Sequence, residues 1–147
     1  MKKIFFINVL VVLILLCSGQ QAPNIQNTTD QYFLSLQGSG VVGSWSLALR
    51  TFDDNKNGKL DEEERKKGET GKHFYQFNAD GTCLIHTLKL KGSYELKNDG
   101  GKKRLYTYAI DGGTRTQENA WYLISVSKTE LVLLSQDKYT FWIYKRV

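Results

Sequence analysis

This sequence has few of the residues on which catalysis usually rests. Histidine occurs twice, at His73 and His86, and cysteine twice, at Cys17 and Cys83. Cys83 and His86 lie three apart in a strand-like run, so they point to opposite faces and form no local metal pair. No serine sits in a G-x-S-x-G elbow, and no glycine-rich phosphate loop occurs; Gly100-Gly101 and Gly112-Gly113 fall in turn-like segments. An enzyme is not expected. Long basic stretches are missing too. Lys66-Lys67 and Lys102-Lys103-Arg104 are short and lie near turns, which predicts a solvated surface and no nucleic-acid partner. Nothing repeats at a fixed long period, and proline is reduced to Pro23.

No apolar run reaches the ~20 residues that a membrane-spanning helix needs. The nearest, Ile4 to Leu16, follows Lys2 and Lys3 and reads as the apolar region of an export signal. Two endings stay open. Cys17 comes directly after the run, as in bacterial lipoprotein precursors, where that cysteine becomes the lipidated first residue; Leu16 departs from the small residue usual before it. Ordinary cleavage after Gly19 is the other ending. The expected organisation is a signal peptide at 1–19, a polar tether at 20–40 and one domain at 41–147. The protein is then lipid-anchored, facing the periplasm or cell surface, or it is secreted. Without Lys2 and Lys3 the formal net charge of +5 falls to about +3, a mild excess. Cys83 is expected to pack as a lone buried thiol.

From Gly43 onward the pattern has period two. Trp45, Leu47 and Leu49 alternate with Ser46, Ala48 and Arg50, which predicts a half-buried strand. Further strands are expected at Lys72–Phe77, Thr82–Leu90, Gly92–Leu96, Arg104–Ile110, Ala120–Val126, Glu130–Ser135 and Tyr139–Arg146. Asn, Asp and Gly supply the turns between several of them. The class is therefore all-β: about eight short antiparallel strands in an up-and-down barrel or a sandwich. A barrel of that size is filled by side chains or holds one small ligand. The same-face pairs Tyr106/Tyr108 and Tyr122/Ile124 are read as barrel lining, His73 as a surface residue, and His86 as a mid-strand polar residue.

Gly43-Ser44-Trp45 opens the first strand and Arg146 lies on the last. With the hairpin Phe77–Thr82 and the segment Ser127–Leu133, these features resemble bacterial lipocalin-like domains over residues 40–147. The resemblance implies an eight-stranded lipocalin-like barrel, with Trp45 closing one end and Arg146 stacked on it. It also implies binding of a small apolar ligand or a protein partner. A periplasmic interaction or inhibitor module with a packed barrel is the alternative.

The clearest motif is Asp53–Glu64, which fits the calcium-loop pattern of EF-hands, D-x-[DN]-x-[DN]-G-x₅-E, at every position. Calcium takes six to eight oxygens. Asp53, Asn55 and Asn57 would offer side-chain oxygens, Lys59 its carbonyl, Asp61 an oxygen directly or through water, and Glu64 both carboxylate oxygens. Gly58 permits the sharp turn. Asp61 and Glu64 also form the spacing of a capping box for a short helix ending near Gly68. A strand precedes the loop where an EF-hand has a helix, no second loop pairs with it, and two ligands are Asn. These departures predict weak binding, on the order of 10⁻⁴–10⁻³ M, and a bracing role for the first long loop.

Overall fold

The computed structural model describes residues 35–85 and 90–147. Eight strands follow in chain order: β1 (Gly43–Phe52), β2 (Phe74–Phe77), β3 (Thr82–Ile85), β4 (Leu90–Asp99), β5 (Lys102–Asp111), β6 (Thr114–Val126), β7 (Glu130–Ser135) and β8 (Thr140–Arg146). A short helix, α1 (Glu62–Lys66), lies between β1 and β2. Each strand pairs antiparallel with its neighbours in sequence, and β8 pairs with β1 to close a barrel. Closure leaves no sheet edge to be protected.

Turn chemistry explains the two longest hairpins. Asp99 pairs with Lys102 across Gly100-Gly101, and Asp111 pairs with Thr114 across Gly112-Gly113. All four glycines have positive φ, from 52° to 85°. Two consecutive positive-φ residues are what a two-residue hairpin turn of the favoured twist needs.

Several strand limits differ from expectation. Leu90 begins β4 and does not end β3; it lies opposite Ile85 across residues 86–89, which are outside the described set with His86. Strand β2 starts at Phe74, and β4, β5 and β6 run longer than their apolar cores because hairpin pairing continues into polar sequence. Within the stretch expected to be a tether, residues 35–38 are helical, and Leu36 is fully buried with Val41 in the core. Cys17 and the leader lie outside the described residues.

Two hydrophobic clusters result, one inside the barrel and one outside it. The inner cluster holds Trp45, Leu47, Tyr75, Phe77, Tyr94 and Tyr144 among others. Its rings touch one another: Tyr75 stacks on Phe77 at 5.0 Å, Phe77 meets Tyr94 at 4.8 Å, and Tyr75 meets Tyr144 at 5.6 Å. The outer cluster is Val132, Leu134, Phe141 and Ile143, with Leu49, Leu60 and Tyr122 packed against it. Strand β7 serves both, so Leu131 to Leu134 are buried at four consecutive positions.

Leu49 was expected on the face of Trp45 and Leu47. Instead the pairing of β1 with β8 slips between Leu47 and Leu49. A bulge of this kind inserts one residue and reverses the faces beyond it, which delivers Leu49 to the outer cluster.

Candidate functional site

Loop 53–64 leaves β1 at Asp53, whose backbone N–H donates to the Tyr139 carbonyl at 2.9 Å. The Asp53 side chain is almost fully buried, at 3% exposure. Its two carboxylate oxygens accept from the N–H groups of Asn57 (3.1 Å) and Gly58 (2.8 Å), which winds the chain around it. Gly58 has φ +69° and Lys56 φ +57°, the left-handed backbone that such winding requires. Asn55 and Asn57 repeat the device: Asn55 Oδ1 accepts from Asn57 N–H at 3.0 Å, and Asn57 Oδ1 from Lys59 N–H at 2.6 Å. Asn55 Nδ2 then donates across the loop to Asp61 Oδ2 at 3.1 Å.

The far end is fixed by the capping box. Asp61 Oδ1 accepts from Glu64 N–H at 2.9 Å, and Glu64 Oε2 accepts from Asp61 N–H at 3.1 Å. Glu64 Oε1 reaches back to the Asp54 N–H at 3.1 Å, and Glu64 is only 2% exposed. The six loop positions named from sequence thus share one closed turn. Among the described residues no three His, Cys, Asp or Glu side chains converge tightly enough to constitute a metal centre by themselves. The carboxylates of Asp53 and Glu64 are held by backbone donors instead. Oxygens of Asn55 and Asn57 and the Lys59 carbonyl are needed to complete any coordination shell here.

Charge is unevenly balanced in the loop. Asp54 pairs with Lys67 at 2.6 Å and Glu63 with Lys66 at 2.7 Å. Among the described residues no lysine or arginine forms an ion pair with Asp53, Asp61 or Glu64. Burying a carboxylate is costly, and here backbone N–H groups offset that cost: those of Asn57 and Gly58 on Asp53, and those of Asp54 and Asp61 on Glu64.

The whole segment is fastened to the outside of the barrel. Leu60 enters the outer cluster, and the Thr51 hydroxyl donates to the Glu64 carbonyl. Arg50 and Glu69 exchange both backbone hydrogen bonds at 2.8 Å. Arg65 grips Glu130 through two nitrogens, at 2.8 and 3.2 Å, and Lys145 joins at 2.8 Å. Arg65 and then Lys145 hold the Glu130 carboxyl below the usual range. No local sequence signal could have shown this clamp, whose partners are 65 positions apart.

At one end of the barrel Trp45 is fully buried, with Nε1 donating to the Val41 carbonyl at 2.7 Å. The Arg146 guanidinium lies over its ring at 4.2 Å. It donates to the carbonyls of Gly40 (2.9 Å), Val42 (2.9 Å) and Lys128 (2.8 Å). A Cβ on Gly43 would stand 2.1 Å from Arg146 Nη1, which accounts for the glycine two positions before the tryptophan.

Tyr106, Tyr108 and Tyr122 do not line the interior, contrary to expectation. Leu105, Thr107, Ala120 and Trp121 are the buried residues of β5 and β6, and the three tyrosines face outward under cations. Arg104 covers Tyr122 at 4.7 Å and Tyr106 at 5.1 Å, and Arg115 covers Tyr108 at 3.6 Å. Ile124, of the same outward series, is 38% exposed. His73 is half-buried rather than superficial. Its ring packs edge-on to Tyr75 at 4.7 Å, and Nδ1 lies 3.0 Å from the Tyr144 hydroxyl.

Inside, Tyr75 on β2 points its hydroxyl towards β5 and β6, near Thr107, Asn119 and Trp121. The Tyr75 hydroxyl, Thr107 Oγ1 and Trp121 Nε1 are all buried, yet none closes a hydrogen bond. Burial pushes Tyr75 up to about 12, so it stays neutral. Burial likewise pushes the Cys83 thiol up to about 12, leaving it unreactive. Because the Tyr75 hydroxyl is unsatisfied, Tyr75→Phe is expected to leave stability unchanged or raise it by about 1 kcal/mol. Urea unfolding measures this, and a loss above about 1 kcal/mol would show that the hydroxyl is bonded after all.

Compared with protein-family models, with curated proteins and with solved structures, the chain shows no match in any of the three.

Proposed function

We propose that this is an exported, lipocalin-like binding protein whose loop 53–64 takes one calcium ion. The observation that carries the reading is the pair Asp53 and Glu64: two carboxylates, 3% and 2% exposed, without a cationic partner, in a loop whose spacing offers further oxygens. Calcium there would balance the buried charge and brace the β1–β2 connection against the outer cluster. The weak site expected for an extracellular module suits surroundings where calcium is at millimolar levels.

Of the two ways such a barrel can bind, the packed interior favours its outer surface. Tyr75 fills space between opposite walls and contacts Phe77, Tyr144 and His73. A packed interior supports the interaction module over the carrier of an apolar ligand in the lumen. The lipid anchor at Cys17 belongs to the same proposal, and mass spectrometry of the mature chain separates acylation there from cleavage after Gly19.

Calcium binding is tested by melting and by titration calorimetry. With a dissociation constant of about 10⁻⁴–10⁻³ M, 10 mM calcium stabilises the fold by about 1.4–2.7 kcal/mol. Asp53→Asn and Glu64→Gln keep the side-chain volumes, and glutamine still serves the capping box. Both are expected to lose the calcium increment. Absence of heat and of any calcium-dependent shift in the parent protein overturns the reading.

A further inference from the structure

Beside loop 53–64 a groove of about 540 Å³ runs between the loop, the β4–β5 turn and the outer face of β6. Its floor is apolar, made by Tyr122, Ile124 and Leu134. Lys56 stands on the loop side, Lys102 and Lys103 on the turn side, and Lys138 on the β7–β8 turn. Lys102 and Lys138 reach over the Tyr122 ring at 5.8 and 5.6 Å, from different segments of the chain. Arg104 lies against the same ring at 4.7 Å with its side chain 12% exposed, and its Nε and Nη2 have no hydrogen-bond partner.

The acids nearby do not neutralise this rim. Asp53 turns its oxygens to the N–H groups of Asn57 and Gly58, Asp137 accepts from Ser135 and Tyr139, and Asp99 reaches only Arg104 Nη1 at 3.2 Å. Among the described residues Lys56, Lys102, Lys103 and Lys138 form no ion pair. A floor of ring and branched aliphatic side chains under unpaired cations selects for a molecule with one anionic end and one apolar end. The volume lies within the ordinary range for a single small ligand, about 300–1,000 Å³.

We propose that this groove binds a small amphipathic anion. Its carboxylate, sulfonate or phosphate head is held by Lys102 and Lys138, and its aromatic or alkyl body lies on Tyr122 and Ile124. One wall of the groove belongs to loop 53–64, but Lys102, Lys138, Tyr122 and Ile124 do not, and the test is run in chelator so that the two readings fail separately.

The experiment is calorimetric titration of the mature protein with dodecanoate, below its micelle concentration, and in parallel with dodecyltrimethylammonium. Dodecanoate is expected to bind at one site, more weakly as salt rises, and the cationic analogue is expected not to bind. The double variant Lys102→Glu/Lys138→Glu, both on the surface, is expected to weaken dodecanoate at least about tenfold with an unchanged melting curve. Ile124→Ser is expected to weaken it about threefold or more, as loss of apolar contact does, while Tyr75→Phe inside the barrel leaves it unchanged. Equal affinity for the two analogues, or full affinity in the lysine double variant, overturns the proposal. So does binding to phosphatidylglycerol vesicles without binding to free dodecanoate, which would make the surface a membrane contact.

Discussion

Truncation of Trp45 to alanine is expected to cost about 3–5 kcal/mol of unfolding free energy, the largest single loss in the barrel. The indole is fully buried, donates to Val41 and carries the Arg146 guanidinium on its other side at 4.2 Å. Arg146→Ala is expected to cost about 2 kcal/mol, because three carbonyls lose a charged donor and the ring loses its cation. The two changes should be less than additive by about 1 kcal/mol in a double-mutant cycle, since they remove one shared contact. Lysine at 146 cannot reach three carbonyls in a planar fork and should recover little. Urea unfolding of the four proteins measures the cycle. Strict additivity, or full recovery by lysine, would mean that the guanidinium is not what ties residues 40–42 and the β6–β7 turn to the end of the barrel.

Gly92→Ala is expected to be nearly as damaging, for a reason that has nothing to do with turns. An added Cβ would lie 2.2 Å from the Tyr108 carbonyl oxygen and 3.2 Å from Ile85 Cδ1. The first is backbone of the neighbouring strand and cannot move without opening the β4–β5 ladder. A loss of roughly 3 kcal/mol, at the upper end for overpacking, is the expected outcome. Gly71→Ala is the control. Its Cβ meets only the methyl end of Leu47 at 2.6 Å, which can rotate away, so it should cost clearly less. Equal losses for the two would show that β4 and β5 have room to separate.

The sequence was informative wherever one local rule acted alone. Period-two alternation placed Trp45 and Leu47 on one buried face, the glycine pairs marked the two-residue hairpins, and the Asp61…Glu64 spacing specified the capped helix. It misled where both phases of a strand were apolar. In β5, Leu105, Thr107 and Ala109 compete with Tyr106, Tyr108 and Ile110 for the lumen. Small side chains occupy it because Tyr75 from the far wall is already there, while the tall rings stack outside under arginines. Bulges did the rest of the damage. Slips after Leu47, Thr107 and Leu123 each change which residues share a face, and nothing in the local composition marks them. In loop 53–64 the spacing named the positions that the turn brings together. The clamp of Arg65 on Glu130 and the lysine-rimmed groove needed the fold, because their members come from separate parts of the chain.

The outer cluster also bears on how the barrel breathes. Strand β7 is covered on one face by the lumen and on the other by side chains that include Leu60 from the loop. Two layers must therefore part before its amides meet water, and the first is the loop with its Arg65 clamp. Among the described residues the tip of the β5–β6 hairpin has no such second layer. From Asp111 to Glu118 the β5–β6 hairpin is exposed at every residue, and few buried contacts oppose its fraying. The molecule is thus stiff where the loop is strapped down and loose at that hairpin. An ion that tightened the strap would add rigidity to the side that already has most of it.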